Sequence, residues 1–106
     1  TANLSETISK QTYGIILVFS QYNNTAGNAL NLDWHCYFVP KYMVSAHSGN
    51  YHTFNMMSLV YNNVASKSLY IFDGYLSGIA NNTATGTNNG ITYNNSNYVL
   101  RYVIGV

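Results

Sequence analysis

Hydrophobic and polar positions divide the chain into short alternating runs separated by polar turns. Residues 14–22 (GIILVFSQY) form the first run. From Ile15 to Phe19 every position is apolar, so both faces of such a strand need cover, and a central place in a sheet or a subunit interface follows. Residues 23–28 (NNTAGN) have turn composition. Residues 30–38 alternate most clearly. Leu30, Leu32, Trp34, Cys36 and Phe38 share one face, and Asn31, Asp33, His35 and Tyr37 share the other. The alternation predicts a half-buried strand with the Trp34 face inside. Pro40 ends it, because proline has no N–H to give a ladder. Residues 41–46 read as a short continuation, and 47–50 (HSGN) as a turn. Residues 52–61 predict another strand, with Phe54, Met56 and Val60 alternating against Met57, Leu59 and Tyr61. Asn62 and Asn63 open the next connection.

The rest of the chain is organised around residues 67–106, where two strand patterns flank a polar excursion. Ser68, Tyr70 and Phe72 alternate with Leu69, Ile71 and Asp73. Tyr98, Leu100, Tyr102 and Ile104 alternate with Val99, Arg101 and Val103. The final run is apolar enough to predict a position in the middle of a sheet, since a free apolar edge invites aggregation. Between these runs, Tyr75, Leu76 and Ile79 predict a short strand around Gly78. Residues 81–97 read as a long Asn/Thr/Gly loop with a loose hairpin through Gly90 to Tyr93. Loops this long in a small domain are usually functional or mobile. No stretch carries the period of an amphipathic helix. The fold class predicted is all-β, an antiparallel sandwich of jelly-roll type. Residues 1–12 are polar and aperiodic and read as a linker or the end of an upstream region, leaving 13–106 as the sandwich domain. The opening TANLSET suggests a domain excised from a longer protein.

Composition narrows the function classes. Charged residues are 7% of the chain, against about 25% in ordinary soluble domains. Lys10, Lys41, Lys67 and Arg101 are too few and too scattered to bind phosphates, so nucleic acid is not an expected partner. The same scarcity argues against docking on an anionic membrane, and no apolar run is long enough to insert. One cysteine precludes an internal disulfide framework. Cys36 reads as a small buried hydrophobe.

The chemistry on offer is that of neutral recognition. Eleven Tyr, one Trp and sixteen Asn supply aromatic platforms for sugar faces and amides for sugar hydroxyls. Trp34 is weighed between core packing and ligand stacking. Asp33, His35 and Tyr37 form a polar row, read either as a solvated or subunit-facing surface or as a sugar-binding row. His47 and His52 flank a turn with Tyr51. Joined by His35 or Asp33 they could ligate a metal, but the spacing is loose and a backbone-bonded turn histidine is the default. No metal or other cofactor is expected. Glycoside hydrolysis needs two carboxylates, and only Glu6, Asp33 and Asp73 are available. No G-x-S-x-G phrase anchors a serine triad, so the chain is not read as an enzyme. The candidate carbohydrate-binding residues are Asp33, Trp34, His35, Tyr37, His47, Tyr51 and His52.

The phrases SKQTYGIILVFSQY, FVPKYMVSAHSGNYHTFNM, KSLYIFDGYLSG and NNGITYNNSNYVLRYVIGV resemble the C-terminal head domain of phage and prophage tail or baseplate proteins of Gram-positive hosts. The resemblance spans residues 9–106. It implies a homotrimeric β-sandwich head in the virion, at the tail tip or baseplate. The implied partner is host cell-wall polysaccharide or a teichoic acid-type glycan, with other tail proteins contacted through the upstream region. Two alternatives stand beside it: a structural trimerisation cap without receptor contact, and a polysaccharide-degrading tail domain. The both-faces-apolar run 15–19 suits trimerisation in either case.

Overall fold

The computed structural model describes residues 1–58 and 63–106. The predicted positions Leu59, Val60, Tyr61 and Asn62 lie outside the described residues. The fold is all-β: among the described residues there are ten strands in two sheets, one short α-helix and three short 3-10 turns. Strand β1 is Ala2–Asn3, β2 Gly14–Asn23, β3 Asn28–Ala29 and β4 His35–Pro40. Helix α1 is Lys41–His47. Then follow β5 Tyr51–Ser58, β6 Asn63–Ile71, β7 Tyr75–Gly78, β8 Thr85–Asn88, β9 Ile91–Asn94 and β10 Tyr98–Gly105.

Strand β2 is the centre of the smaller sheet, flanked by β10 on one edge and by β4 and β3 on the other. Its central place matches the expectation. Ile15, Leu17 and Phe19 face the core, where Leu17 and Phe19 are fully buried. Each such side chain stabilises by about 1.5–3 kcal/mol. They meet Phe54 and Met56 of β5, Ala65, Leu69 and Ile71 of β6, and Leu76 of β7, all from the larger sheet. The Phe19 and Phe54 rings lie 5.8 Å apart.

Registers in the smaller sheet overturn two expectations. Tyr37 pairs with Leu17, and His35 with Phe19. Paired residues share a face, so the odd-numbered side of β4 turns inward and Trp34, Cys36 and Phe38 turn outward. Cys36 is exposed rather than buried. The predicted strand 30–38 is also shorter, because Asp33 takes a positive φ of 57° and breaks the run before β4 begins. Strand β10 carries a bulge at Arg101, where the register slips between Leu100 and Tyr102. Leu100 still faces in beside Phe19, while Tyr102 pairs with Val18 and faces out. One extra residue inverts every side chain beyond it. Among the described residues β10 pairs only with β2, so it is an edge and not the middle of a sheet. The bulge twists and blunts that edge.

Residues 1–12 are built into the fold, not strung ahead of it. Strand β1 pairs with β7. Ile8 is fully buried, and Asp73 accepts hydrogen bonds from the Ser9 N–H and hydroxyl, both at 2.7 Å. Residues 41–47 form a helix rather than a strand continuation. Pro40, with φ −62°, stands at its N-cap and Val44 is the residue it buries. At seven residues, just under two turns, the helix is too short to carry a long periodic signature. Gly14 shows how closely the strands approach. A Cβ there would lie 2.2 Å from the Val39 carbonyl oxygen, at a φ of 154°.

The Asn-rich segment is not a loose loop. Strands β8 and β9 make a hairpin around Asn89-Gly90, both at positive φ, the backbone that favours Asn-Gly in a two-residue turn. The edge of β6 pairs with β7 at Leu69 to Ile71 and with β9 at Val64. Two side-chain amides fill the gap between. The Asn82 amide accepts from Ser68 N–H at 2.7 Å and donates to Ser68 C=O at 2.8 Å. Asn95 Oδ1 accepts from Ser66 N–H at 2.9 Å. The amides stand in for the missing strand, satisfying backbone groups that would otherwise be orphaned. Asn82→Ala is therefore expected to cost about 1–3 kcal/mol, measured by denaturant unfolding. Asn88→Ala, at an exposed hairpin position, is expected to stay within about 0.5 kcal/mol.

Candidate functional site

The outer face of the smaller sheet is an apolar surface with two ladder rows. Phe38, Ile16 and Ile104 form the first, and Cys36, Val18 and Tyr102 the second. Beyond these rows the bulged Arg101 packs against the Trp34 ring and donates to the buried Ser20 Oγ. Phe38 is 53% exposed, Tyr102 51% and Trp34 42%. The Trp34 and Tyr102 rings are near-parallel, with centroids 6.0 Å apart and planes 19° from one another. Arg101 packs its guanidinium 5.1 Å from the Trp34 centroid and 5.6 Å from that of Tyr102, within cation–π range. The same guanidinium donates to Ser20 Oγ, the Leu30 carbonyl and Asn31 Oδ1. It thereby ties the turn before β4 to the opposite strand and holds both rings in place.

The seven residues expected to bind carbohydrate do not converge. Trp34 joins the outer platform. Asp33, His35 and Tyr37, expected as one polar surface row, turn toward the interior. Tyr37 packs against Phe19 and Phe54 and donates its hydroxyl to the Asn55 carbonyl. The His35 ring meets Tyr98 edge-on, with Nε2 3.3 Å from Asp33 Oδ1. His47 is exposed at the end of α1, and His52 lies on the inward side of β5. Tyr51 faces outward on the larger sheet against Tyr70, 5.9 Å away. Among the described residues no three His, Cys, Asp or Glu side chains come together, so the metal arrangement weighed for His47 and His52 does not form.

Asp33 anchors a polar cluster at one end of the core. Its Oδ2 accepts from Tyr98 Oη at 2.5 Å and from Gln21 Nε2 at 3.0 Å. Burial works against the charged carboxylate, but the hydrogen bonds from Tyr98 and Gln21 and the charge of His35 outweigh it and hold the carboxyl below its usual value. Burial, together with the Asp33 carboxylate, pushes the Tyr98 hydroxyl well above its ordinary range.

A second charge sits deeper still. Lys67, on the inward face of β6 beside Ala65 and Leu69, is 8% exposed. Its Nζ donates to the Asn82 carbonyl at 2.6 Å. Desolvation lowers its pKa from 10.5 to about 8. The platform partners Tyr102 and Arg101 and the interior Lys67 were not nominated from sequence. Strict alternation groups Tyr102 on one face with Tyr98 and Leu100, and the bulge that turns it outward carries no sequence mark.

No protein-family model, curated protein or solved structure matches the chain.

Two pH-dependent outcomes follow. A carboxyl whose folded pKa is depressed adds stability that is present above its ordinary value and lost as pH falls through the lowered one. Asp33→Asn is expected to flatten the acid limb of a stability–pH curve relative to the unaltered chain. Lys67 has the opposite sense: its lowered folded pKa costs stability below about pH 8, and the cost fades as pH rises from there to 10.5. Lys67→Met is expected to stabilise the fold at pH 7 by on the order of 2 kcal/mol, after allowing for water near the amine. Chemical denaturation at pH 7 and pH 10 measures the narrowing gap.

Proposed function

We propose that this chain is a non-catalytic adhesion head of a phage tail or baseplate that recognises a host cell-wall saccharide. The observation that carries the reading is the exposed Trp34–Tyr102 pair, braced by Arg101, on a sheet face with almost no charge. Pyranose rings present apolar C–H faces that stack on such rings, and preset aromatic side chains bind them at little entropic cost. The scarcity of charge suits a ligand that is read by stacking and hydrogen bonding rather than by field. The resemblance to tail and baseplate head domains supplies the biological setting: virion location, Gram-positive host and homotrimeric assembly.

A second reading has its own observation. Phe38, Ile16 and Ile104 make an apolar row at the far end of the same face, and such rows commonly mark association. The chain then acts as a structural trimerisation cap, without receptor contact.

The two readings separate by experiment. In binding assays with isolated Gram-positive wall polysaccharide, Trp34→Ala and Tyr102→Ala are each expected to weaken binding at least tenfold, about 1.4 kcal/mol. Raising salt from about 0.05 to 0.5 M is expected to leave adsorption unchanged, because few charges take part. A chain that assembles in solution and binds no wall glycan contradicts the adhesion reading and favours the cap. Turnover of labelled polysaccharide, lost in Asp33→Asn or Asp73→Asn, favours a degrading enzyme.

A further inference from the structure

Between β6, the end of β2 and the start of β10 lies a cavity of about 290 Å³, near the lower bound of small-molecule sites. Tyr22, Asn24, Thr83, Ser96 and Tyr98 line it, and Lys67 supplies its only charge. Burying an ammonium is costly unless it is paired. Each side-chain carboxylate is engaged away from Lys67: Asp33 by Tyr98 and Gln21, Asp73 by Ser9, and Glu6 by Gln11. Among the described residues Lys67 has one hydrogen-bond acceptor, the Asn82 carbonyl, for three donors. A buried cation without a counter-ion, lining a cavity of monosaccharide size, is an arrangement that an anionic ligand completes.

We infer that this cavity binds an acidic monosaccharide unit, a hexuronic acid whose carboxylate pairs with the Lys67 ammonium. The remaining lining groups suit the rest of such a ring. The Asn24 amide and the Thr83 and Ser96 hydroxyls offer partners to sugar hydroxyls, and Tyr22 and Tyr98 offer apolar walls. Asn24 Nδ2 donates to Ser96 Oγ at 2.8 Å and to the Ser96 carbonyl at 3.3 Å, so two of these groups hold one another at the rim. The lysine thus carries a desolvation cost and is the group that selects charge. A pKa near 8 leaves it mostly protonated at neutral pH, and a bound carboxylate favours the charged form further.

This inference rests on the saccharide reading, but it concerns a site apart from the Trp34–Tyr102 platform. The test follows the Lys67 side-chain resonances by NMR while titrating glucuronate, glucose and acetate into the intact chain at pH 7. Glucuronate is expected to bind at least ten times more tightly than either control and to perturb Lys67, Thr83 and Ser96 together. Lys67→Met keeps an apolar stem in an apolar setting, and it is expected to fold and to lose the preference for glucuronate over glucose. Asn24→Ala, at an exposed rim position, is expected to weaken glucuronate several-fold without altering the fold. Equal responses to glucuronate and acetate, no response to either, or glucuronate binding unchanged in Lys67→Met each overturn the inference. Wall polysaccharide binding that persists in Lys67→Met while glucuronate fails in the unaltered chain overturns it and leaves the adhesion reading standing. Loss of wall binding alongside intact glucuronate binding does the reverse.

Discussion

A two-layer sandwich has one core, and strand β2 has two apolar faces. That mismatch governs much of the molecule. Leu17 and Phe19 are the bulkier pair, and they take the inside, where the larger sheet meets them with Phe54, Met56 and Ile71. Ile16 and Val18 are left on the outside. Everything paired to them is carried outward as well: Phe38 and Cys36 from one neighbour, Ile104 and Tyr102 from the other. The exposed platform is thus a consequence of which face of the central strand fills the core.

The interior then has to accommodate the polar residues that share the other side of β4. It does so with local partners. Tyr37 keeps its ring in the core and gives its hydroxyl to Asn55. Asp33, displaced by its positive φ, receives Tyr98 and Gln21. On the larger sheet, side-chain amides from Asn82 and Asn95 occupy backbone positions that a strand would otherwise fill. A chain with sixteen Asn and seven charged residues completes its hydrogen bonding largely with amides, and this keeps its recognition surface nearly neutral.

Much of this was legible from residue order. The all-β class, the central β2, the turn at residues 23–28, the short strand around Gly78 and the hairpin near Gly90 follow from alternation and turn chemistry. What alternation does not carry is polarity of the face. Residues 30–38 have a clean period of two, yet the period says only that two faces differ, not which is inside. The register against Leu17 and Phe19 decides that, and register is a long-range property. The bulge at Arg101 and the helical turn after Pro40 are likewise too local to disturb the pattern. The site suffered most. Trp34 was visible as a stacking candidate, but Tyr102 and Arg101 were hidden by the bulge. Lys67 was hidden because a lysine inside a strand reads as a surface residue.

The orientation of β4 is the claim on which the platform and its proposed role depend, and Cys36 reports it directly. Native chain, diluted until its mass is that of one copy, is treated with a chromogenic disulfide reagent. The account predicts one thiol titrated per chain in native buffer, at a rate within about tenfold of that in denaturant. Labelling that appears only on unfolding would place the Trp34–Cys36–Phe38 side in the core and contradict it.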